Sequence, residues 1–236
     1  PVACRAAAET IRVIRDEIAR RVDDLMWYQR TSDVADLRQV TIVGPPPAND
    51  QRRREKPGNH VRIPTYVFTP HDAGPGPAPA LVLAHGGVHA NFDTMYANVV
   101  REMVAQGYVV IAPEYRGSTG YGKDHYELID YGGLEVEDTY AAREWLVEHH
   151  DGVDAERIGV LGWSHGGLHA LFNAFLHPEG YACAFAGVPV ADLVARMGYT
   201  DQAYRDLYEA DYHVGKAAWE DPDEYRDRSP AWHAAK

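Results

Sequence analysis

The serine best placed to do chemistry is Ser164, in the run Gly162-Trp163-Ser164-His165-Gly166-Gly167. An apolar stretch, Ile158 to Gly162, leads into it, and a helical pattern follows as far as Leu176. Gly-x-Ser-x-Gly between a strand and a helix is the pattern of a nucleophile carried on a sharp turn. The chain must reverse so tightly that a Cβ two residues to either side would collide with the crossing backbone, hence the flanking glycines. The chain has three other serines, Ser32, Ser118 and Ser229, and none sits in such a turn.

Acyl transfer also needs backbone N–H donors aimed at the developing oxyanion. One expected donor is His165, the residue after the nucleophile; the other is Gly87, in His85-Gly86-Gly87 after an earlier apolar strand. His85, Gly86 and Tyr115 are assigned to the substrate-facing wall. Tyr115 belongs to a third segment, Pro113-Glu114-Tyr115-Arg116-Gly117-Ser118-Thr119-Gly120-Tyr121-Gly122. It lacks the Gly-Lys-Ser/Thr ending of a phosphate-binding loop. It reads either as a rigid loop with Glu114 or Arg116 in a structural ion pair, or as a wall of the active site. A zinc pair at His85 and His89 is disfavoured, because both lie on a glycine loop without an evident third ligand. No metal and no cofactor is expected.

The elements that must position these groups follow from hydropathy. Residues 4–28 read as a helix, with Ile11, Ile14, Ile18, Val22 and Leu25 as an apolar stripe at three- and four-residue spacing. Packing of that stripe on the domain is preferred over a dimerisation arm, and a homodimer stays possible. Leu37–Val43 and Val61–Thr69 are strand candidates, the second near a sheet edge because of Pro64. A polar loop carrying Arg52-Arg53-Arg54 joins them. Short apolar runs at Leu81–Leu83, Tyr108–Ala112, Ile158–Gly162 and Ala182–Val188 then alternate with helical stretches. That pattern predicts a mostly parallel sheet with helices on both faces. In such sheets ligands sit beyond the carboxyl ends of the strands, where all three loops lie. Cys183, inside the last run, reads as a buried small hydrophobe.

His85-Gly86-Gly87-x-His89, the 113–122 loop, Gly133-x-Glu135-x-Glu137-Asp138 and the Ser164 turn together resemble the catalytic domain of the prolyl oligopeptidase family. Their order and wording are most similar to its acylaminoacyl-peptidase branch. The resemblance covers about residues 61–236. It implies an α/β-hydrolase fold and a Ser–Asp–His triad, with Ser164 as nucleophile and Gly87 and His165 as oxyanion donors. It also divides the chain into an N-terminal helical extension and linker (1–60) and a hydrolase domain (61–236), with a helical cap-like segment at 191–228. Relatives with peptidase activity carry a β-propeller ahead of this domain, for which residues 1–60 leave no room. The implied triad Asp and His fall beyond Lys236, so the hydrolase domain is expected to lack its last core strands. A non-catalytic binding or scaffold domain is the alternative to a serine hydrolase.

The 236 residues carry 23 basic and 35 acidic side chains, a net charge of −12. A surface that negative repels phosphate backbones, so nucleic acid is excluded as a partner in favour of a small ester or short peptide. No apolar run is long enough to span a bilayer. Two cysteines make no disulfide framework. The first residue is Pro1, so the compartment stays open, with the cytoplasm preferred to secretion.

Overall fold

The computed structural model describes residues 2–47 and 60–235. The Arg52–Arg54 loop lies outside the described residues. Six strands form one sheet in the order β1-β2-β4-β3-β5-β6. They are β1 (Ala35–Gly44), β2 (Val61–Pro70), β3 (Ala78–Ala84), β4 (Val109–Pro113), β5 (Val153–Trp163) and β6 (Cys183–Gly187). The first two run antiparallel to their neighbours, whereas β4, β3, β5 and β6 are mutually parallel. Pro64 is not on an edge strand, since β2 pairs on both sides. The ladder to β4 begins only at Thr65, so the missing N–H of Pro64 costs no rung.

Strand periodicity sorts side chains to two cores. Val82, Val109, Ile111 and Val160 face α4 (Leu134–His149) and α5 (His165–Leu176), packing with Ala142, Leu146 and Ala170. Leu83, Val110 and Leu161 face the other way, toward Trp27 of α1 (Val2–Thr31) and Val100 and Val104 of α2 (Ala97–Ala105). The short helix α3 (Lys123–Glu127) follows the 113–122 loop. After β6 come α6 (Leu193–Tyr199), α7 (Gln202–Glu209) and α8 (Pro222–Asp227). Each of these last three is N-capped by an aspartate, Asp192, Asp201 and Asp221. Tyr208 and Tyr225 are buried between them and Tyr131, and form a third core.

Two other expectations fail. The α1 stripe does not pack on the domain: Ile11, Ile14, Ile18, Val22 and Leu25 are 67, 51, 57, 55 and 71% exposed. The helix docks through its polar side instead. Arg20 donates to Gly120 O at 2.8 Å, Asp23 accepts from Thr94 N and Oγ1, and Asp24 accepts from the Tyr66 hydroxyl. Arg12 lies over the Tyr126 ring, 4.6 Å from its centre. At the end of the helix Trp27 stacks on Phe92 at 4.9 Å and anchors the interface. The second failure is Cys183, which is exposed rather than buried. It sits on β6, which pairs only with β5 among the described residues, and Phe185 beside it is also exposed.

Candidate active site

Ser164 stands between β5 and α5 with φ 57° and ψ −113°, a backbone region that side chains avoid. It is half-buried, with its neighbours fixed sterically. A Cβ on Gly162 would come within 2.4 Å of Gly166 backbone atoms, and one on Gly166 within 2.1 Å of Ala84 O. The glycines are therefore what let β5, α5 and the end of β3 meet. Ser164 N–H donates to Gly187 O at 2.9 Å, which ties the turn to β6. His165 opens α5, so its backbone N–H has no helical carbonyl to bond.

The Gly86-Gly87 loop lies against this turn. A Cβ on Gly86 would be 3.7 Å from that of Ser164. Gly86 N–H is taken by the Tyr96 hydroxyl at 2.8 Å. Gly87 adopts φ +74°, the left-handed region that favours glycine. Of the two, Gly87 therefore has the N–H that is not already committed to Tyr96.

His85 and Tyr115, assigned to the substrate wall, are completely buried and offer no surface to a ligand. They brace the loop from below. Ser118 Oγ donates to Tyr115 O at 2.7 Å and so accepts from His85 Nε2–H at 2.9 Å. The Tyr115 hydroxyl reaches His85 O and Gly87 O at 3.0 and 3.2 Å, and its ring stacks on His85. A strand-end loop needs rigid support to aim backbone donors, and polar side chains that bond carbonyls supply it.

The rest of the 113–122 segment is likewise a braced loop. Arg116 is buried and bonded to Asp138 through its backbone N–H (2.9 Å), Nε (2.8 Å) and guanidinium NH2 (2.7 Å). Glu114 accepts from Phe92 N–H at 3.0 Å, and its other oxygen lies 3.4 Å from His85 Nε2.

Sequence reasoning missed the supporting contacts of Tyr96 and His89. Tyr96 holds Gly86, but nothing in a lone tyrosine ten residues away signals that. His89 Nδ1–H donates to Gly117 O at 2.8 Å, and its Nε2 meets His213 Nε2 at 2.9 Å, linking the Gly86-Gly87 loop to the segment after α7. Burial, chiefly, lowers the His89 pKa to about 4. Finally, the His165 side chain points into the protein, beside Glu135 and His169. Burial, with neighbouring histidines adding to it, holds both imidazoles well below their usual pKa. Burial and then Asp130 push Glu135 up to about 8, so its 3.6 Å contact with His165 is not an ion pair at neutral pH.

Among the described residues there are also clefts away from the serine turn. One of about 490 Å³ lies between β1 and α4, lined by His60, Glu137, Trp145 and His149 among others. None of its lining residues belongs to the Ser164 turn or the Gly86-Gly87 loop. Among the described residues no helix is long and apolar enough to cross a membrane.

Residues 94–236 match the sequence profile of the prolyl oligopeptidase family. The acylamino-acid-releasing enzyme of Mus musculus is 35% identical over 126 residues, which are 52% of this chain and 17% of that protein. A puromycin hydrolase structure is similar at 27% identity and a TM-score of 0.68, over 85% of this chain and 29% of that one. An acylaminoacyl peptidase from Pyrococcus horikoshii shares the fold, with a TM-score of 0.68 at 18% identity over 90% of this chain and 31% of that one. The chain thus spans under a third of the length of these relatives.

Proposed function

Because the chain belongs to the prolyl oligopeptidase family, we propose that it forms the α/β core of a serine hydrolase that cleaves an ester or peptide bond, with Ser164 as nucleophile. What carries this is the Ser164 backbone itself. A non-glycine residue at φ 57°, wedged where two flanking Cβ atoms could not fit, is strained. Such strain serves to present a hydroxyl above a sheet edge.

Ser164 Oγ attacks the substrate carbonyl, and its proton passes to a histidine base, the triad member that the family resemblance implies. The backbone N–H groups of Gly87 and His165 donate to the oxyanion as the carbonyl carbon becomes tetrahedral. Collapse breaks the acyl bond, and the leaving alcohol or amine takes the proton from the base. Water then repeats the cycle on the acyl-enzyme, releasing the acid and restoring Ser164. His85, Tyr115 and Ser118 act as positioning residues for the Gly86-Gly87 loop rather than as substrate contacts.

The relatives are named for acylamino-acid release and puromycin hydrolysis. Short acyl esters and acylated or free aminoacyl amides are therefore the substrates to try. Intact mass of the full-length protein before and after a fluorophosphonate probe tests the reading. One adduct is expected on the wild type and none on Ser164→Ala, which should also lose turnover of p-nitrophenyl acetate or butyrate. Undiminished turnover by Ser164→Ala would sink the assignment. Parallel rates on esters and anilides separate esterase from peptidase.

A further inference from the structure

Three ligand-bearing side chains converge beneath the Ser164 turn. Glu135 comes from the first turn of α4, and His165 and His169 lie one turn apart on α5. All three are buried, and one ligand atom from each lies within 4.8 Å of the others. Among the described residues neither ring nitrogen of His165 has a hydrogen-bond partner, nor does Nε2 of His169. Leaving a buried polar atom without a partner is unfavourable. A neutral imidazole has one lone pair, so His165 and His169 can each turn one nitrogen lone pair toward a shared ligand.

The surrounding bonds suit a metal ion. His169 Nδ1 lies 2.7 Å from Thr139 Oγ1, so an Nδ1–H donated there leaves the Nε2 lone pair aimed at the cluster. Ligating histidines are commonly oriented by such a bond at the opposite nitrogen. The Glu135 carboxylate accepts from Gly132 and Gly133 N–H at 2.5 and 3.1 Å, one on each oxygen, and each oxygen keeps a further lone pair. Two histidines four residues apart on one helix, plus a carboxylate from its neighbour, are a zinc-type donor set. Tetrahedral bonds of about 2.1 Å set ligand atoms about 3.4 Å apart. His165 Nε2 and Glu135 Oε1, at 3.6 Å, already meet this, and the third ligand needs to close in by about an ångström. Tyr131 and Tyr115 wall the cluster, with ring centres 4.4 Å from His165 and 4.3 Å from His169 respectively.

We propose that Glu135, His165 and His169 form a buried site for one divalent transition ion of the zinc class, with water as the fourth ligand. The ion would fix the imidazole of the residue whose backbone N–H follows the nucleophile, and so stiffen the turn. This stands on α4 and α5 alone and does not depend on the hydrolase reading.

Cobalt(II) titration of the chelator-stripped, full-length protein tests it. One Co²⁺ per chain is expected, with the visible d–d absorption of a tetrahedral site, lost on adding one equivalent of Zn²⁺. Zinc affinity, measured by competition with a chromophoric chelator, should fall about 10- to 100-fold in Thr139→Val, which removes only the orienting bond. It should vanish in His169→Gln. An octahedral spectrum, the absence of a stoichiometric ion, or zinc retained at full affinity in His169→Gln would each overturn the proposal. If His169→Gln does not fold, the wild-type cobalt spectrum and the Thr139→Val affinity still decide.

Discussion

Arg116 and Asp138 offer the sharpest energetic test of how the 113–122 loop is held. Both side chains are fully buried, and Asp138 takes three donors from Arg116 alone. Asp138→Asn keeps the shape but replaces one acceptor oxygen with an NH2 group. If the amide oxygen takes the Oδ2 position, it can still accept from the Arg116 N–H and Nε. The new NH2 then faces the guanidinium NH2, donor against donor. Among the described residues the guanidinium also loses its only ion-pair partner, and its buried NH1 has no hydrogen-bond partner to begin with. Stranding one charge of a buried pair costs about 3–5 kcal/mol. That is a large part of the 5–15 kcal/mol typical of a domain, and it lowers the folded-to-unfolded ratio by about two to four orders of magnitude. Equilibrium urea unfolding followed by circular dichroism measures it, provided the m-value is unchanged. The paired replacement Arg116→Met with Asp138→Leu strands no charge and should cost less than Asp138→Asn alone. A single-variant loss below about 1 kcal/mol would refute the reasoning, as would a double variant less stable than the single one.

Further tests address other parts of the fold. Gly166→Ala drives a Cβ to 2.1 Å from Ala84 O, a backbone atom that cannot step aside; displacement of the turn by about an ångström should slow fluorophosphonate labelling about a hundredfold. His89, held at a pKa of about 4 against about 6.5 unfolded, binds fewer protons folded than unfolded. Its contribution is therefore whole above about pH 6.5 and is lost as pH falls toward 4, and His89→Gln should flatten that part of an acid-unfolding curve. Trp27→Ala should cost about 3–5 kcal/mol in urea unfolding, whereas Ile18→Lys should stay within about 0.5 kcal/mol because Ile18 faces outward.

The sheet was legible because its cause is local. Runs such as Tyr108–Ala112 are apolar throughout, which is what a strand covered on both faces requires, and α2, between β3 and β4, is amphipathic. The Ser164 turn was legible for a similar reason, since two glycines spaced around one serine express a steric demand inside six residues. The supporting groups were not. Asp138 is bonded to Arg116 across 22 positions, and Tyr96 to Gly86 across ten. His89 reaches His213 across 124. Such partners are chosen by the fold, and no local spacing announces them. His85 and Tyr115 show the converse error: proximity to a strand end was read as exposure, whereas hydrogen bonds from their polar atoms let them be buried.

Helix α1 makes the limit of hydropathy plain. Periodicity correctly finds a helix with an apolar face, but it cannot say which face meets the protein. Burying the aliphatic stripe would bring about 1.5–3 kcal/mol for each fully covered side chain. The docked face instead satisfies Arg20, Asp23 and Asp24 with partners that themselves need satisfying: Gly120 O, Thr94 N–H and the Tyr66 hydroxyl. Turning the helix over would leave those groups short of partners against the domain, at about 1–3 kcal/mol each, and would pull Trp27 from its stack on Phe92. Polar complementarity and one large aromatic anchor, rather than five aliphatic side chains, hold the docked face, and the apolar stripe is left facing outward.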